Sequence, residues 1–411
     1  QLKRTFMLTK FKSASSRKKK RSIIILLIIT ALISWQVISL KSFNRAQITK
    51  YPSDNKVSAS AIEQENSPFP INALIQKQSH GKLTSQKKYP TAKTKDNIKK
   101  SHIDSLGTFD CLENILSIGD EQVDDYQQSV DDFLKSGDPL YYALFGPTNE
   151  KESRFDLLYD YNKYSPNNPL VSNDLISNCS EGNIKCTPEF IEQLIQADAN
   201  NGASWLSVVS FYVRKKDDTK VLASIKAMEN TAYYNERFGE RALLYVQAVE
   251  GSTSNNFTVN AAAGIGIGAN SLTPLSPILT WCRANINIPV RAQACLILGE
   301  QLETRSQTAI SYAYGLAIQS SIYTETNNTE FTKIIGSKRR LQTESLHSET
   351  FQNVALMMLL DERLMRSYLK GIDTEGEVGS QKLLIEEAEI LYHENDNYLC
   401  TLINEAISSL L

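Results

Sequence analysis

The stretch from Trp205 to Met228 reads WLSVVSFYVRKKDDTKVLASIKAM, and its apolar residues recur at three- and four-residue spacing. Residues at this spacing share one face of an α-helix. Two such stripes are present: Trp205, Val208, Val209 and Tyr212, then Val221, Leu222, Ile225 and Met228. The stretch therefore predicts two consecutive amphipathic helices.

The same periodicity continues through residues 106–411, whereas the alternation typical of strands is nearly absent. Further stripes include Ala292, Cys295, Leu296, Leu298 and Gly299, and then Val354, Met357, Met358 and Leu364. A capping side chain before a proline, the pattern of a helix start, occurs at Asp138-Pro139, Thr187-Pro188 and Ser276-Pro277. These patterns predict an all-α domain, built as an array of helical hairpins or as a bundle.

One segment resembles a known family. Residues 197–206, ADANNGASWL, followed by Tyr212 and Lys216-Asp217-Asp218, resemble the first helix and turn of a tetratricopeptide repeat over about 32 residues. Val209 stands where that family has a small residue, and no second copy appears one period of about 34 residues later, where the sequence has Gly239. The resemblance implies a local helix pair, within a solenoid like that of the family if further repeats follow. It also suggests a surface for protein or peptide, for which the candidate residues are Asn200, Asn201, Trp205 and Tyr212.

The N-terminal region predicts a membrane anchor. Residues 1–21 carry nine Lys and Arg and no acidic residue, and Ser22 to Leu40, SIIILLIITALISWQVISL, carries no charge. Nineteen helical residues span roughly 28 Å, close to the hydrocarbon thickness of a bilayer. The basic head favours the cytoplasmic side, so the remainder is expected to be exported. A signal peptide cleaved after Ser34 is the alternative interpretation.

The segments that follow differ sharply in charge. Residues 41–105 carry twelve basic and five acidic residues, without sustained periodicity, and are expected to form a disordered linker. Residues 106–411 hold 23 basic and 41 acidic residues, a net charge of −18. An acidic domain of this kind does not favour nucleic acid as a partner. The layout resembles exported, tethered helical proteins of bacteria, which places the anchor in the inner membrane and the domain in the periplasm.

All six cysteines follow the apolar segment, and an even count after an export signal predicts three disulfides. Local closure favours Cys179 with Cys186 and Cys282 with Cys295, which leaves Cys111 and Cys400 to pair by elimination. Buried free thiols are the alternative. No Cys-x-x-Cys spacing is present, so no metal site is expected.

The sequence contains no recognisable catalytic motif. Gly264, Gly266 and Gly268 lack the strand and spacing of a dinucleotide loop, and they predict close helix packing or a helix end. Glu152-Ser153 resembles the catalytic start of lytic transglycosylases, but the residues that follow do not match, which favours an exposed helix turn. We therefore expect no catalytic residue and no cofactor. The expected function is a membrane-anchored binding or scaffolding module for protein or peptide; the alternative is a cell-envelope enzyme acting on peptidoglycan or another glycan through carboxylates.

Overall fold

The computed structural model describes residues 121–149, 152–179, 183–252, 257–284, 286–346, 348–394 and 401–402. The predicted head, membrane segment and linker, residues 1–105, lie outside these ranges, as do Cys111 and Cys400. From Tyr126 onward, the described residues belong to one compact unit. None of the described helices combines the length and the apolar character that a membrane crossing requires.

The all-α prediction is confirmed for the described residues, which contain no strand and only an isolated bridge between Asn201 and Tyr233. The helices are α1 (Glu121–Ser136), α2 (Pro139–Phe145), α3 (Arg154–Tyr164), α4 (Pro169–Asn178), α5 (Pro188–Ile195), α6 (Gly202–Lys215), α7 (Asp218–Glu229), α8 (Phe238–Val249), α9 (Phe257–Asn270), α10 (Ser276–Arg283), α11 (Pro289–Arg305), α12 (Ala309–Glu325), α13 (Thr329–Leu346), α14 (Glu349–Leu360) and α15 (Glu362–Glu394).

Two of the three predicted helix starts are confirmed. Asp138 caps α2 through a bond from the Leu140 amide, and Thr187 caps α5 through a bond from the Phe190 amide. The start of α10 differs by one residue: Ser276 is already helical, and Leu275 occupies the capping position without a side-chain hydrogen bond. Pro277 still lies in the first turn, where the missing N–H does no harm.

Consecutive helices form packed hairpins, as the sequence predicts for α6 and α7. The α6/α7 turn is made by Lys216, which adopts the left-handed conformation (φ 58°) that often ends a helix. Other contacts join helices that are far apart in the chain. For example, α8 packs against α15. That packing is unlike a solenoid, in which each repeat contacts only its neighbours. The predicted pair of helices, α6 and α7, is therefore confirmed, whereas the described residues show no array of repeats.

Glycines allow several of these helices to approach closely. A Cβ atom at Gly264 would lie 2.7 Å from the carbonyl oxygen of Ala242 on α8, and one at Gly268 would lie 3.1 Å from that of Phe238. A Cβ at Gly239 would lie 1.8 Å from the carbonyl oxygen of Leu369 on α15. The interpretation as close helix packing is therefore confirmed for Gly264 and Gly268, whereas a Cβ atom at Gly266 would meet no atom within 4 Å.

The C-terminal helices depart from the sequence pattern at two points. Val354 and Leu364 lie on different helices, because Asp361 leaves the helical conformation and accepts a hydrogen bond from the Leu364 amide at the start of α15. Within α15, Gly376 has φ 76° and ψ 167°, a conformation open to glycine alone. The helix is therefore interrupted immediately before Glu377.

Two predicted disulfides are confirmed. Cys179 at the end of α4 bonds to Cys186, and Cys282 in α10 bonds to Cys295 in α11. In each pair the Cα atoms are 5.7 Å apart, within the usual range for a disulfide. The first bond fixes the connection between α4 and α5, and the second fixes the α10/α11 pair.

Candidate functional site

A cavity of about 340 Å³ lies among the ends of α2, α4 and α9, the start of α3 and the first turn of α8. Its polar lining consists of Arg154, Asp174, Ser177, Asn178, Arg241, Asn270 and Ser271. Its apolar lining consists of Leu144, Phe145, Ile267, Leu272 and Pro274. A cavity of this size, with a few polar groups against an apolar wall, has the character of a small-ligand site.

An ion pair lies in the buried part of the lining. Arg241 is 1% exposed and Asp174 is 7% exposed, and Nη1 of Arg241 donates a hydrogen bond to Oδ2 of Asp174. Burial raises the pKa of Asp174, and the charge and hydrogen bond of Arg241 oppose that rise. Nε and Nη2 of Arg241 are also buried, and neither has a hydrogen-bond acceptor among the described residues.

Helix geometry explains why these two charges meet. Asp174 follows Leu170 and Val171 by four and three residues, and all three are buried on the same side of α4. Arg241 likewise follows Phe238 by three residues and shares the buried side of α8. Each charge therefore occupies an apolar face, and each helix buries its charge against the other.

Arg154 supplies a second guanidinium. It is the first residue of α3, and its position is fixed by Ser153, which forms a reciprocal capping box with Asp156. Its Nη1 and Nη2 atoms donate to the carbonyl oxygens of Ala143 and Gly146, at 2.9 and 2.6 Å. Burial lowers the pKa of Arg154, while the nearby charge of Asp174 opposes that change. An arginine remains charged under such conditions.

The rim is polar and more exposed. Nδ2 of Asn178 donates to the backbone oxygen of Asp174 at 2.9 Å, and Oγ of Ser271 donates to the backbone oxygen of Gly268 at 2.8 Å. Asn178 and Asn270 are exposed, and Ser271 is half-buried. The rim residues are thus held by the helix ends, with side-chain capacity left for a ligand.

The lining carries few groups that could transfer a proton. The lining contains a single carboxylate, already paired with Arg241, and contains no histidine, cysteine or lysine. Acid–base catalysis requires a proton donor or acceptor placed beside the reacting atom, and hydrolysis of glycans usually employs two carboxylates. No cluster of potential metal ligands occurs among the described residues.

The candidate surface predicted from the tetratricopeptide resemblance is only partly exposed. Asn200 is exposed and Trp205 is half-buried, with its indole Nε1 donating to the Ala199 carbonyl at 2.8 Å. Asn201 and Tyr212 are only 1% and 3% exposed. These four residues therefore do not form one exposed surface.

Asn201 instead holds the loop before α8 in place. Its Oδ1 accepts from the amides of Ala203 and Asn235, and its Nδ2 donates to Asp198 and to the Asn235 carbonyl. The side chain thus satisfies backbone groups on both segments that it joins, which is a structural role.

A second cluster of titratable groups lies around the start of α12. Glu236 accepts from the amides of Gln307 and Thr308, and Glu377 accepts from the amide of Ala309. Asp373 accepts from the amides of Gly239 and Glu240 at the start of α8. All three carboxylates therefore satisfy amides at or just before a helix N-terminus.

Burial has the largest effect on the pKa values of the three carboxylates in this cluster. It raises the pKa of Asp373 to about 6 and that of Glu377 to about 7, and it also raises the pKa of Glu236. Hydrogen bonds from backbone amides oppose the shift in each case, because they stabilise the ionised form. Their engagement with helix ends indicates that these groups hold α8, α12 and α15 together.

The sequence alone does not identify the residues of the cavity. Arg154, Asp174 and Arg241 are far apart in the chain, and no motif links them. One signal was available: a charged residue on an otherwise apolar helix face, at Asp174 and again at Arg241, indicates a buried pair. Which two helices meet could not be read from that signal.

No protein-family model matches this chain, and neither a curated protein nor a solved structure shows significant similarity to it.

Proposed function

We propose that this protein is an exported binding module, held at a membrane by its N-terminal segment, whose helical domain binds a small molecule or a peptide side chain in the cavity beside Arg241. Catalysis is not part of the proposal. The observation that carries it is the cavity itself, in which a buried guanidinium retains two unused donors beside an apolar wall.

The disulfides support the exported location. Both bonds lie in the domain that follows the apolar segment, and stable disulfides are typical of oxidising compartments such as the bacterial periplasm. The nine basic residues before Ser22 support an anchor with its head in the cytoplasm and the domain beyond the inner membrane. The α6/α7 hairpin, similar to a tetratricopeptide pair, fits a binding role as well.

The test is the capture of a native ligand. The full chain is extracted from its membrane in mild detergent and examined by native mass spectrometry. We expect a bound species on the wild type that is absent from Ser271→Phe, because a phenyl ring at the half-buried rim would fill the cavity. Thr280→Phe is the matched control, since it adds the same ring at an exposed position outside the cavity lining.

Two results would contradict the binding module. One is wild-type protein that carries no bound species under any extraction condition. The other is a species retained equally by Ser271→Phe and by Thr280→Phe, which would place it outside the cavity.

The alternative is a cell-envelope enzyme that uses carboxylates on peptidoglycan or another glycan. Asp373 and Glu377 lie four residues apart across the interruption at Gly376, and both have raised pKa values. Their bonds to helix-start amides favour a structural role instead. We expect purified full-length protein to release no soluble fragments from peptidoglycan; release that disappears in Glu377→Gln would favour the enzyme.

A further inference from the structure

We infer that the cavity recognises the carboxylate group of a small organic monoanion, through Arg154 and Arg241, with the apolar body of that ligand against Phe145, Ile267 and Leu272. This inference rests on the proposed function, because it names the class of ligand that the same cavity would take. The lining, the charge balance and the unused donors each contribute to it.

The unused donors call for an acceptor. Nε and Nη2 of Arg241 are withdrawn from solvent and have no partner among the described residues. Burying such donors without acceptors destabilises a protein, and a charged donor more than a neutral one. A carboxylate is planar and matches the fork of a guanidinium, so it satisfies two donors at once.

The charge balance selects a single negative charge. Arg154 and Arg241 contribute two positive charges to the lining, and the paired carboxylate of Asp174 contributes one negative charge. The sum is one positive charge, which one carboxylate neutralises. A dianion such as phosphate at neutral pH would place its second charge near Asp174, where the low dielectric strengthens repulsion.

The volume limits the ligand to a small molecule. A cavity of about 340 Å³ lies near the lower end of the range of small-ligand sites, about 300–1,000 Å³. The apolar wall would be left wet by a purely ionic ligand such as chloride or formate. A carboxylate with a short hydrocarbon body fills both parts of the lining.

The experiment is isothermal titration of the detergent-solubilised full chain with three probes. Sodium valerate carries the carboxylate and a four-carbon tail, 1-pentanol has an alkyl body without the charge, and inorganic phosphate has the charge without the body. We expect saturable binding of valerate at one site, with 1-pentanol and phosphate each at least tenfold weaker.

Variants then locate the site. Arg154→Gln should weaken valerate binding tenfold or more, because it removes one of the two positive charges that the lining presents to the carboxylate. Arg283→Gln, which changes a half-buried arginine on α10 that donates to Ser321, should leave the affinity unchanged. Ser271→Phe should abolish valerate binding while both arginines remain in place. If Arg154→Gln does not fold, Ser271→Phe still shows whether valerate binds in the cavity.

Several results would overturn the inference. The first is that valerate does not bind. The second is that Ser271→Phe leaves the affinity for valerate unchanged. The third is that phosphate or 1-pentanol binds as tightly as valerate does. In the first case, water alone fills the cavity or the native ligand is of another class. The two proposals remain separable, because a native species lost in Ser271→Phe would sustain the binding module even when valerate fails.

Discussion

Arg241 and Asp174 place opposite charges where α4 and α8 bury their apolar faces. Removing water from two charges opposes folding, and their attraction offsets only part of that penalty. We therefore expect this pair to contribute more to the choice of one packing arrangement than to net stability. The unused donors of Arg241 are consistent with a small contribution to stability. Apolar residues at this site would leave fewer polar groups without a hydrogen-bond partner.

Single removal of the arginine should destabilise the domain strongly. Arg241→Met leaves the Asp174 carboxylate buried without its partner, and we expect a loss of about 3–5 kcal/mol in the free energy of unfolding. Asp174→Leu combined with Arg241→Met should recover most of that loss. Denaturant unfolding of the wild type, both single variants and the double variant measures the coupling; additive effects would contradict a coupled pair.

Glu377 gives the stability a defined pH dependence. Its pKa is about 7 in the folded protein, above the ordinary 4.5, because the side chain is buried. The folded state then binds the proton more tightly than the unfolded state, so stability is present at low pH and is lost as the pH rises from about 4.5 to about 7. The fall attributable to this residue is up to about 3 kcal/mol, at about 1.36 kcal/mol per pKa unit.

Glu377→Gln isolates that contribution. The amide resembles the protonated acid and retains an oxygen for the Ala309 amide. We expect the variant to be more stable than the wild type at pH 8 and to lose the slope between pH 5 and 7, as measured by denaturant unfolding. Asp373, whose pKa is about 6, should leave a smaller residual slope. A variant with the full wild-type slope would show that Glu377 is not the titrating group.

At the scale of elements, the α8/α9 contact depends on two glycines, Gly264 and Gly268, that lie one helical turn apart. Gly264→Ala would push a methyl group to 2.7 Å from the Ala242 carbonyl, so we expect destabilisation of about 1–3 kcal/mol, as for other overpacked sites. Gly266→Ala meets no atom within 4 Å and should stabilise the helix by about 0.8–1 kcal/mol through propensity alone. Thermal unfolding of the two variants compares them directly, and shifts of the same sign would refute the packing model.

Local chemistry made the helices predictable, although their ends were less so. Asp138-Pro139 and Thr187-Pro188 carry both capping and proline signals, and each marks a true helix start. The apolar period continues smoothly from Val354 to Leu364, yet the helix ends between them. The side chain of Asp361 offers the following helix a cap, and a periodicity of apolar residues does not register that competition.

At the scale of the whole molecule, two disulfides reduce the freedom of the unfolded chain. The pairs are separated by 7 and 13 residues, for which the chain-entropy model gives about 2–3 kcal/mol each. Cys179→Ser with Cys186→Ser should therefore lower the free energy of unfolding by about 2 kcal/mol under oxidising conditions. Under a strong reductant the double variant and the wild type should differ far less; an unchanged difference would attribute the effect to packing.

The proposed topology predicts an asymmetric response to protease. Protease added from the periplasmic side of sealed spheroplasts should digest the helical domain or the segment before it, while an epitope placed in residues 1–21 remains protected. Detergent should abolish the protection and serves as the control. Recovery of soluble protein that begins near Trp35 would instead support a cleaved signal peptide.

The site was harder to predict than the fold because it depends on long-range packing. Helix formation and both described disulfides follow from local patterns, whereas the cavity needs α2, α4, α8 and α9 to meet in one arrangement. Asn201 illustrates the limit. Its polar side chain in a repeat-like segment predicts an exposed residue, yet the side chain is buried and accepts hydrogen bonds from the amides of Ala203 and Asn235.

The cap that Asp373 provides to α8 also sets an order of events during synthesis. The amide of Gly239 and the carboxylate that receives its hydrogen bond are 134 residues apart. At about 5–20 residues per second, a ribosome adds that length in on the order of ten seconds. Throughout that interval the amides of Gly239 and Glu240 lack the carboxylate that accepts their hydrogen bonds, so the N-terminal cap of the helix that carries Arg241 is completed only when translation has passed Asp373.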